Sequence, residues 1–331
     1  MAENSIVWKN ERPSSVSYCR PIKFQFVKES NSIVLNEYKF YSDILKELKS
    51  SCVIENMTFN ISFDIKCTMI DGKICNILTD QKSSNCCNIC GVGPKNINNI
   101  TYIKSLPCNT ENYKFGLSTL HCWIRFMEYL LHISYNLDFK MGYPKGENKI
   151  LKAERKKKIQ NMLKSKLSLT VDVVKQGSGT TNTGNVARSF FAHAESVAEI
   201  TRLDIHVVKR LGNILQILAC GKDINFEKFE QYCLDTAKLC FNLYPWYSMP
   251  PSVHKILFHG SYIIKFLDLP IGYLSEEAQE AGNKIFRKAR AHNSRMKSRK
   301  CTNEDIMHYL LISSDQRYQN KAGKSTKRIV T

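Results

Sequence analysis

Residues 254–259 read His-Lys-Ile-Leu-Phe-His, and far upstream residues 87–90 read Cys-Asn-Ile-Cys. Each pair, Cys87 with Cys90 and His254 with His259, has a spacing that lets two side chains grip one edge of a tetrahedral zinc ion. Neither pair makes a site alone. The separation from Cys90 to His254 is 254 − 90 = 164 residues, longer than any zinc-finger loop, so a shared ion requires a tertiary fold that brings the two halves together. From spacing alone, the cysteines can equally be a redox pair or ordinary buried thiols, and the histidines satisfied helix residues.

Around these pairs the pattern is helical. Leu117, Leu120, Ile124, Met127 and Leu131 recur at intervals of three and four, as do Val207, Leu211, Ile214 and Leu218, which predicts core-facing helical stripes. A third helix is predicted from about Asn225 to Tyr244, stopped by Pro245, with a flexible loop at Gln176 to Asn185 and a loop or small knuckle at Thr79 to Pro107. Nearer the amino terminus, Phe59, Ile61, Phe63 and Ile65 alternate with Asn60, Ser62 and Asp64, the period of a half-buried strand. Ile22, Phe24 and Phe26 make a shorter run of the same kind, and Glu37 to Leu48 has helical spacing. The last helix is predicted to begin near Ser275 as N-cap, with Glu276 and Glu277 in the first turn where the helix dipole favours acids.

The chain has 331 residues, 43% of them apolar, enough for two or three units with cores of their own. Lys and Arg number 48 against 30 Asp and Glu, a formal charge of +18, and such a field attracts polyanions, with nucleic acid the first candidate and an acidic membrane surface the second. The opening MAENSIVWKN has no apolar core of signal-peptide length, and the longest apolar stretch, Cys122 to Tyr135, is interrupted by Arg125, Glu128 and His132. The expectation is a soluble intracellular protein that neither enters a membrane nor takes a small-molecule substrate. Its 13 cysteines are then mostly reduced core residues.

The basic residues concentrate in two helical blocks, Lys152 to Lys166 and Lys284 to Lys300, a clustering that suits a polyanion track as well as a solvated face. Two acids stand out. Asp71, in Met-Ile-Asp-Gly-Lys after the alternating run, can be a metal ligand at a strand end, although Asp-Gly is also a favoured hairpin turn. Glu280 lies one turn before Lys284 and two before Arg287 and Lys288, either as one partner of a surface pair or as a metal-binding acid beside phosphate-holding cations. No Walker loop, dinucleotide fingerprint or G-x-S-x-G elbow is present, and Gly177-Ser178-Gly179 has only a superficial likeness to a phosphate loop.

Taken in order, these pieces resemble the Transib-type transposases, the family that includes the catalytic recombination-activating protein of V(D)J recombination. Tyr18-Cys19-Arg20-Pro21-Ile22 is similar to the segment after that family's first catalytic strand, and Met69-Ile70-Asp71-Gly72-Lys73 to the strand end with its second catalytic aspartate. Cys87-Asn88-Ile89-Cys90 and His254 to His259 resemble its zinc-binding pairs. Leu120-His121-Cys122 and Gly184-Asn185-Val186-Ala187-Arg188 resemble helical landmarks, and Glu280-Ala281-Gly282-Asn283-Lys284 the helix of its catalytic glutamate.

The resemblance implies an α+β chain: an incomplete RNase H-like (DDE recombinase) sheet region over 1–78, a Cys-pair zinc-binding segment over 79–115, a helical domain with the His-pair ligands over 116–275, and a catalytic-Glu helix with a basic tail over 276–331. It implies a structural zinc at Cys87, Cys90, His254 and His259, and catalytic Mg²⁺ or Mn²⁺ at Asp71 and Glu280, since hard carboxylate oxygens suit such ions in two-metal phosphoryl chemistry. The family's reactions are strand nicking, hairpin formation and strand transfer. It further implies double-stranded DNA held by Lys284, Arg287, Lys288, Arg290, Arg295, Lys297 and Arg188, a homodimer and a nuclear protein. One departure matters: no Asp stands among the 18 residues before Cys19, while Asp43 falls in a predicted helix and Asp64 in the strand leading to Asp71. The expectation is therefore a DNA-binding protein derived from a DDE transposase, truncated and catalytically impaired. The alternatives are an active endonuclease completed by a longer product or a partner, and a zinc-stabilised structural or regulatory protein without DNA contact.

Overall fold

A computed structural model describes residue 15 and residues 19–315, apart from 26, 49, 55, 64, 65, 69, 143, 144, 177 and 178. Tyr18, Phe26, Asp64, Ile65, Met69, Gly177, Ser178, the opening decapeptide and the Lys-rich end beyond residue 315 therefore lie outside the described residues. In chain order the elements are α1 (Asn31–Glu47), β1 (Ser51–Ile54), β2 (Met57–Asn60), α2 (Gly72–Leu78), α3 (Ile100–Ser105), α4 (Thr119–Asn136), α5 (Glu147–Leu167), α6 (Gly184–Ala192), α7 (Ala194–Thr201), α8 (Ile205–Ala219), α9 (Phe226–Leu243), α10 (Pro251–Phe266), α11 (Glu277–His292) and α12 (Arg299–Ser313). They fall into two units, one of residues 29–271 and one of residues 1–28 with 272–331.

The larger unit is built around α4. Phe126, Met127, Tyr129, Leu130, Leu131 and Ile133 are all buried, so most of this helix is enclosed by neighbours, with Arg125 and His132 on its exposed strip. It packs against α5, α6, α7, α8 and α10. Its approach to α6 depends on Gly184, where a Cβ would meet Leu120 Cδ1 at 2.2 Å, a contact no larger residue could make without displacing the leucine. The predicted stripe of α8 is wholly buried at Val207, Leu211, Ile214 and Leu218. Asn225 caps α9 by accepting from Lys228 N, and the helix ends two residues before Pro245. The faces of α9 and α10 then meet through Phe241 and Phe258, whose rings stack 6.3 Å apart.

The amino-terminal region differs from expectation. The alternating run from Phe59 to Ile65 does not make a half-buried strand: β2 ends at Asn60, pairs antiparallel with β1 in a two-stranded hairpin, and is exposed along its length. Alternation buries one face only when a second layer lies against it, and nothing covers Met57 or Phe59 among the described residues, which are 57% and 44% exposed. Ile22 and Phe24 are likewise outside any strand, although Phe24 meets Phe286 edge to face at 5.4 Å. The predicted helix at Glu37 to Leu48 is present as the longer α1 and carries Asp43, paired with Lys46 at 3.1 Å.

In the segment Gln176 to Asn185, expected as a flexible loop, Gly177 and Ser178 lie outside the described residues, and the residues on either side are hydrogen-bonded. Lys175 N donates to Gly179 O and Thr181 N to Val173 O. Asn182 Nδ2 donates to Asp172 Oδ1 and to Glu128 Oε1 on α4, and the Thr183 hydroxyl caps α6.

In the smaller unit α11 and α12 pack on each other, with Ala289 and Ile306 fully buried. Glu276, rather than Ser275, occupies the N-cap position of α11, while the Ser275 hydroxyl accepts from Glu277 N one residue inside. The second basic block is not one helix: α11 stops at His292 and α12 starts at Arg299, and Arg295 holds the intervening turn by donating from its backbone and guanidinium to the Asp305 carboxylate. Among the described residues no helix is long and apolar enough to cross a membrane.

Candidate metal centre

The cysteine pair sits on a backbone knuckle. Gly91 N donates to Cys87 O at 2.8 Å and Cys87 N to Val92 O at 2.9 Å, and the turn closes through Gly91 at φ 72°, a left-handed conformation that glycine adopts without strain. Asn112 Nδ2 donates to Asn88 O at 2.6 Å and Gln81 Nε2 to Cys87 O at 3.1 Å, which fixes the direction of the two thiols. Asn98 then ties this segment to the approach to α10, donating to Tyr247 O and accepting from Met249 N. Pro251 opens α10 at its first turn, where a missing N–H costs nothing, and the helix delivers both histidines to the knuckle.

The result is a buried cluster: Cys87, Cys90, His254 and His259 each offer a ligand atom within 4.8 Å of the other three. Cys90 Sγ lies 3.4 Å from His254 Nε2. Phe258 stacks on the His254 ring with centroids 4.7 Å apart, and the two imidazoles stand 5.2 Å apart at 71°. Nδ1 of His254 and Nε2 of His259 are buried without a hydrogen-bond partner, an arrangement that costs free energy unless something else satisfies them. Two thiols and two imidazoles around a common point fit a tetrahedral metal, and this Cys2His2 cluster could hold a metal such as zinc.

The electrostatics of the metal-free cluster agree with that. A hydrogen bond from the Cys90 thiol, helped by His254 and His259 and opposed by burial, holds the Cys87 thiol well below its usual range. Cys90 is pushed the other way by that same bond and by its burial. Burial depresses His254. Burial would also depress His259, but the Cys108 thiol beside its Nδ1 and the neighbouring Cys87 raise it to about 9. The cluster therefore stabilises one thiolate, the form in which a thiol ligates a metal.

Cys108 was not singled out in the sequence. Its Sγ lies 3.9 Å from Nδ1 of His259, the ring nitrogen turned away from Nε2, where a partner outside the ligand set orients a metal-binding histidine. No spacing rule could have found it, since Cys108 belongs to neither pair. Of the 13 cysteines all are free, and Cys75, Cys87, Cys90, Cys122, Cys233 and Cys240 are buried.

Asp71 is neither at a strand end nor in a hairpin turn. It is the N-cap of α2, its Oδ1 accepting from Ile74 N at 2.8 Å, because aspartate is as good a helix starter as a turn residue. Glu280 lies exposed on α11 in the smaller unit, one turn after the buried Glu276. Among the cationic candidates, Lys284, Arg287, Lys288 and Arg290 are exposed on α11, and Arg295 and Lys297 are exposed in the turn that follows. Arg188 is half-buried, with its guanidinium 5.6 Å over the Trp123 ring. In the first basic block, on α5, Arg155 points inward and donates to Ser134 O, to Thr201 O and to the Asp138 carboxylate. In comparison with known proteins, the chain matches no family model and no curated sequence.

Proposed function

We propose that this protein binds double-stranded DNA through the cationic face of α11 and the turn after it, that its helical unit is stapled by a structural zinc, and that it descends from a DDE recombinase of the Transib type. The observation that carries the DNA reading is local: Lys284, Arg287 and Lys288 lie within about 100° of one another on one exposed side of α11, with Arg295 and Lys297 immediately beyond. Such a face holds phosphates, which position a protein on a duplex without reading its sequence. The formal charge of +18 supports the same partner, and nuclear localisation belongs to the same proposal. The zinc is structural because all four ligands come from the chain and all four are buried, leaving no open position for water or substrate.

This reading stops at binding. One oxygen of Asp71 already caps α2, so nicking, hairpin formation and strand transfer with Mg²⁺ or Mn²⁺ stay with the family resemblance. A salt titration of duplex binding tests the proposal: affinity falling linearly in log–log form with salt, and equally for unrelated sequences, is the result it requires. Absence of salt-dependent binding would leave a zinc-stabilised protein with a structural or regulatory role.

A further inference from the structure

Beside the knuckle, the carboxy-terminal end of α10 and the 3-10 turn Thr110–Phe115 border a groove of about 670 Å³ lined by Lys66, Lys114, Lys265, Tyr113, Tyr262 and Phe266, with Thr110 and Glu111 at its margin. Tyr262 and Phe266, one helical turn apart, are 46% and 40% exposed. Apolar side chains exposed side by side in a groove, rather than scattered singly, are the kind of surface that marks an interaction site. Both are held rather than loose: the Tyr262 hydroxyl donates to Glu230 at 2.8 Å, and Phe266 meets Tyr113 edge to face at 6.1 Å.

The cations are arranged around these rings. Lys66 Nζ lies 4.4 Å over the Phe266 ring and 3.8 Å from the exposed Asp268 carboxylate. Lys114 lies over Tyr38 and Phe115, and Lys265 lies 4.6 Å over Phe226. Among the described residues no carboxylate pairs with Lys114 or Lys265. Lys66 pairs with Asp268, and against Lys114 and Lys265 the lining sets only Glu111. Lysine is a point charge on a flexible stem and follows a phosphate without demanding the planar, two-pronged geometry of arginine.

We infer that this groove binds a short run of single-stranded nucleic acid, with bases lying on the Tyr262 and Phe266 rings and phosphates held by Lys66, Lys114 and Lys265. Exposed rings beside a cationic track are what a strand of unpaired bases requires, because every base has a face to stack and every nucleotide a charge to neutralise. A duplex keeps its bases stacked inside and offers the rings nothing. An acidic peptide would satisfy the lysines but leave the rings without partners of comparable planarity. The groove lies wholly within residues 29–271, so the inference does not rest on duplex binding by α11.

The experiment is fluorescence anisotropy of the full zinc-loaded chain with a labelled thymidine oligonucleotide of about ten nucleotides. The parent is expected to bind it. Tyr262→Leu with Phe266→Leu should weaken binding by about 30-fold or more with the salt slope unchanged. Lys114→Gln with Lys265→Gln should lower the log–log slope by about 1.4, two contacts at roughly 0.7 each on a single strand. Arg287→Ala with Lys288→Ala should leave oligonucleotide binding intact, and the groove variants should leave duplex binding intact, which separates this site from α11. Circular dichroism and zinc content establish that each variant is folded. Should the ring variant fail to fold, the lysine variant decides alone. A parent that does not bind the oligonucleotide, a lysine variant with the parent's slope, or a groove that takes an acidic phosphopeptide in its place would overturn the assignment.

Discussion

Cys90 Sγ and His254 Nε2 stand 3.4 Å apart although 164 residues separate them. The contact joins the knuckle after α2 to α10, two segments otherwise linked by the hydrogen bonds of Asn98 to Tyr247 and Met249. A metal at this point closes a very long loop of chain. Its stabilisation is mass action on the folded state, about 4 kcal/mol when free zinc exceeds Kd a thousandfold. Cys90→Ser should therefore lower the melting temperature of zinc-loaded protein by roughly 10 °C, and added zinc should not restore it. A variant that melts with the parent in calorimetry would remove the staple from the account.

Metal binding should release protons. Cys90 is held above its usual thiol range by its bond to Cys87, and His259 is raised to about 9 by Cys108 and Cys87, so at neutral pH both carry protons that a metal must displace. The two states then respond oppositely to pH. In the metal-free chain, the raised His259 stabilises the fold fully below its ordinary value of 6.5, and that contribution fades as pH rises through about 9. Zinc affinity climbs across the same window. Titration calorimetry in buffers of different ionisation enthalpy should report about two protons released per zinc near pH 7; no release would mean that the ligands are already ionised.

Arg155 separates structure from surface charge in the first basic block. Its guanidinium donates to carbonyls of α4 and α7 and to the Asp138 carboxylate, which also receives Arg202. Arg155→Met should cost about 2 to 4 kcal/mol in denaturant unfolding, because it removes the guanidinium donor to the Ser134 and Thr201 carbonyls and leaves Asp138 with Arg202 alone. It should leave the salt slope of duplex binding where it was. The reverse pattern, stability kept and slope reduced, would return this residue to the DNA face.

On α11, Arg287→Ala with Lys288→Ala should weaken duplex binding about equally for unrelated sequences and lower the log–log salt slope by about two units. Glu280→Gln should preserve binding or improve it slightly, because it removes a negative charge one turn before Lys284. If the double alanine variant binds as the parent does at every salt concentration, the face is a solvated surface and the DNA proposal falls.

Much of the helical unit was legible because its cause is periodic: the stripes of α4 and α8 and the stop of α9 before Pro245 follow from spacing and one ring. The metal pairs were legible as pairs, since ligand spacing within each is local, whereas their meeting depends on α10 returning to the knuckle. Phe59 to Ile65 misled because alternation states which face is apolar and not whether anything covers it. Asp71 misled because hairpin turns and helix starts favour the same Asp-Gly pair, and the helical residues that follow decide between them. Cys108 and the ring pair Tyr262 and Phe266 acquire meaning only from neighbours supplied by other elements.

The most direct test of the account is the zinc content of reduced, dialysed protein beside that of Cys90→Ser and His254→Gln. One zinc per chain is predicted for the parent, with the metal lost from both variants while circular dichroism still shows a folded helical protein. A parent with less than about one zinc per chain, or a variant that keeps its metal in full, would contradict it.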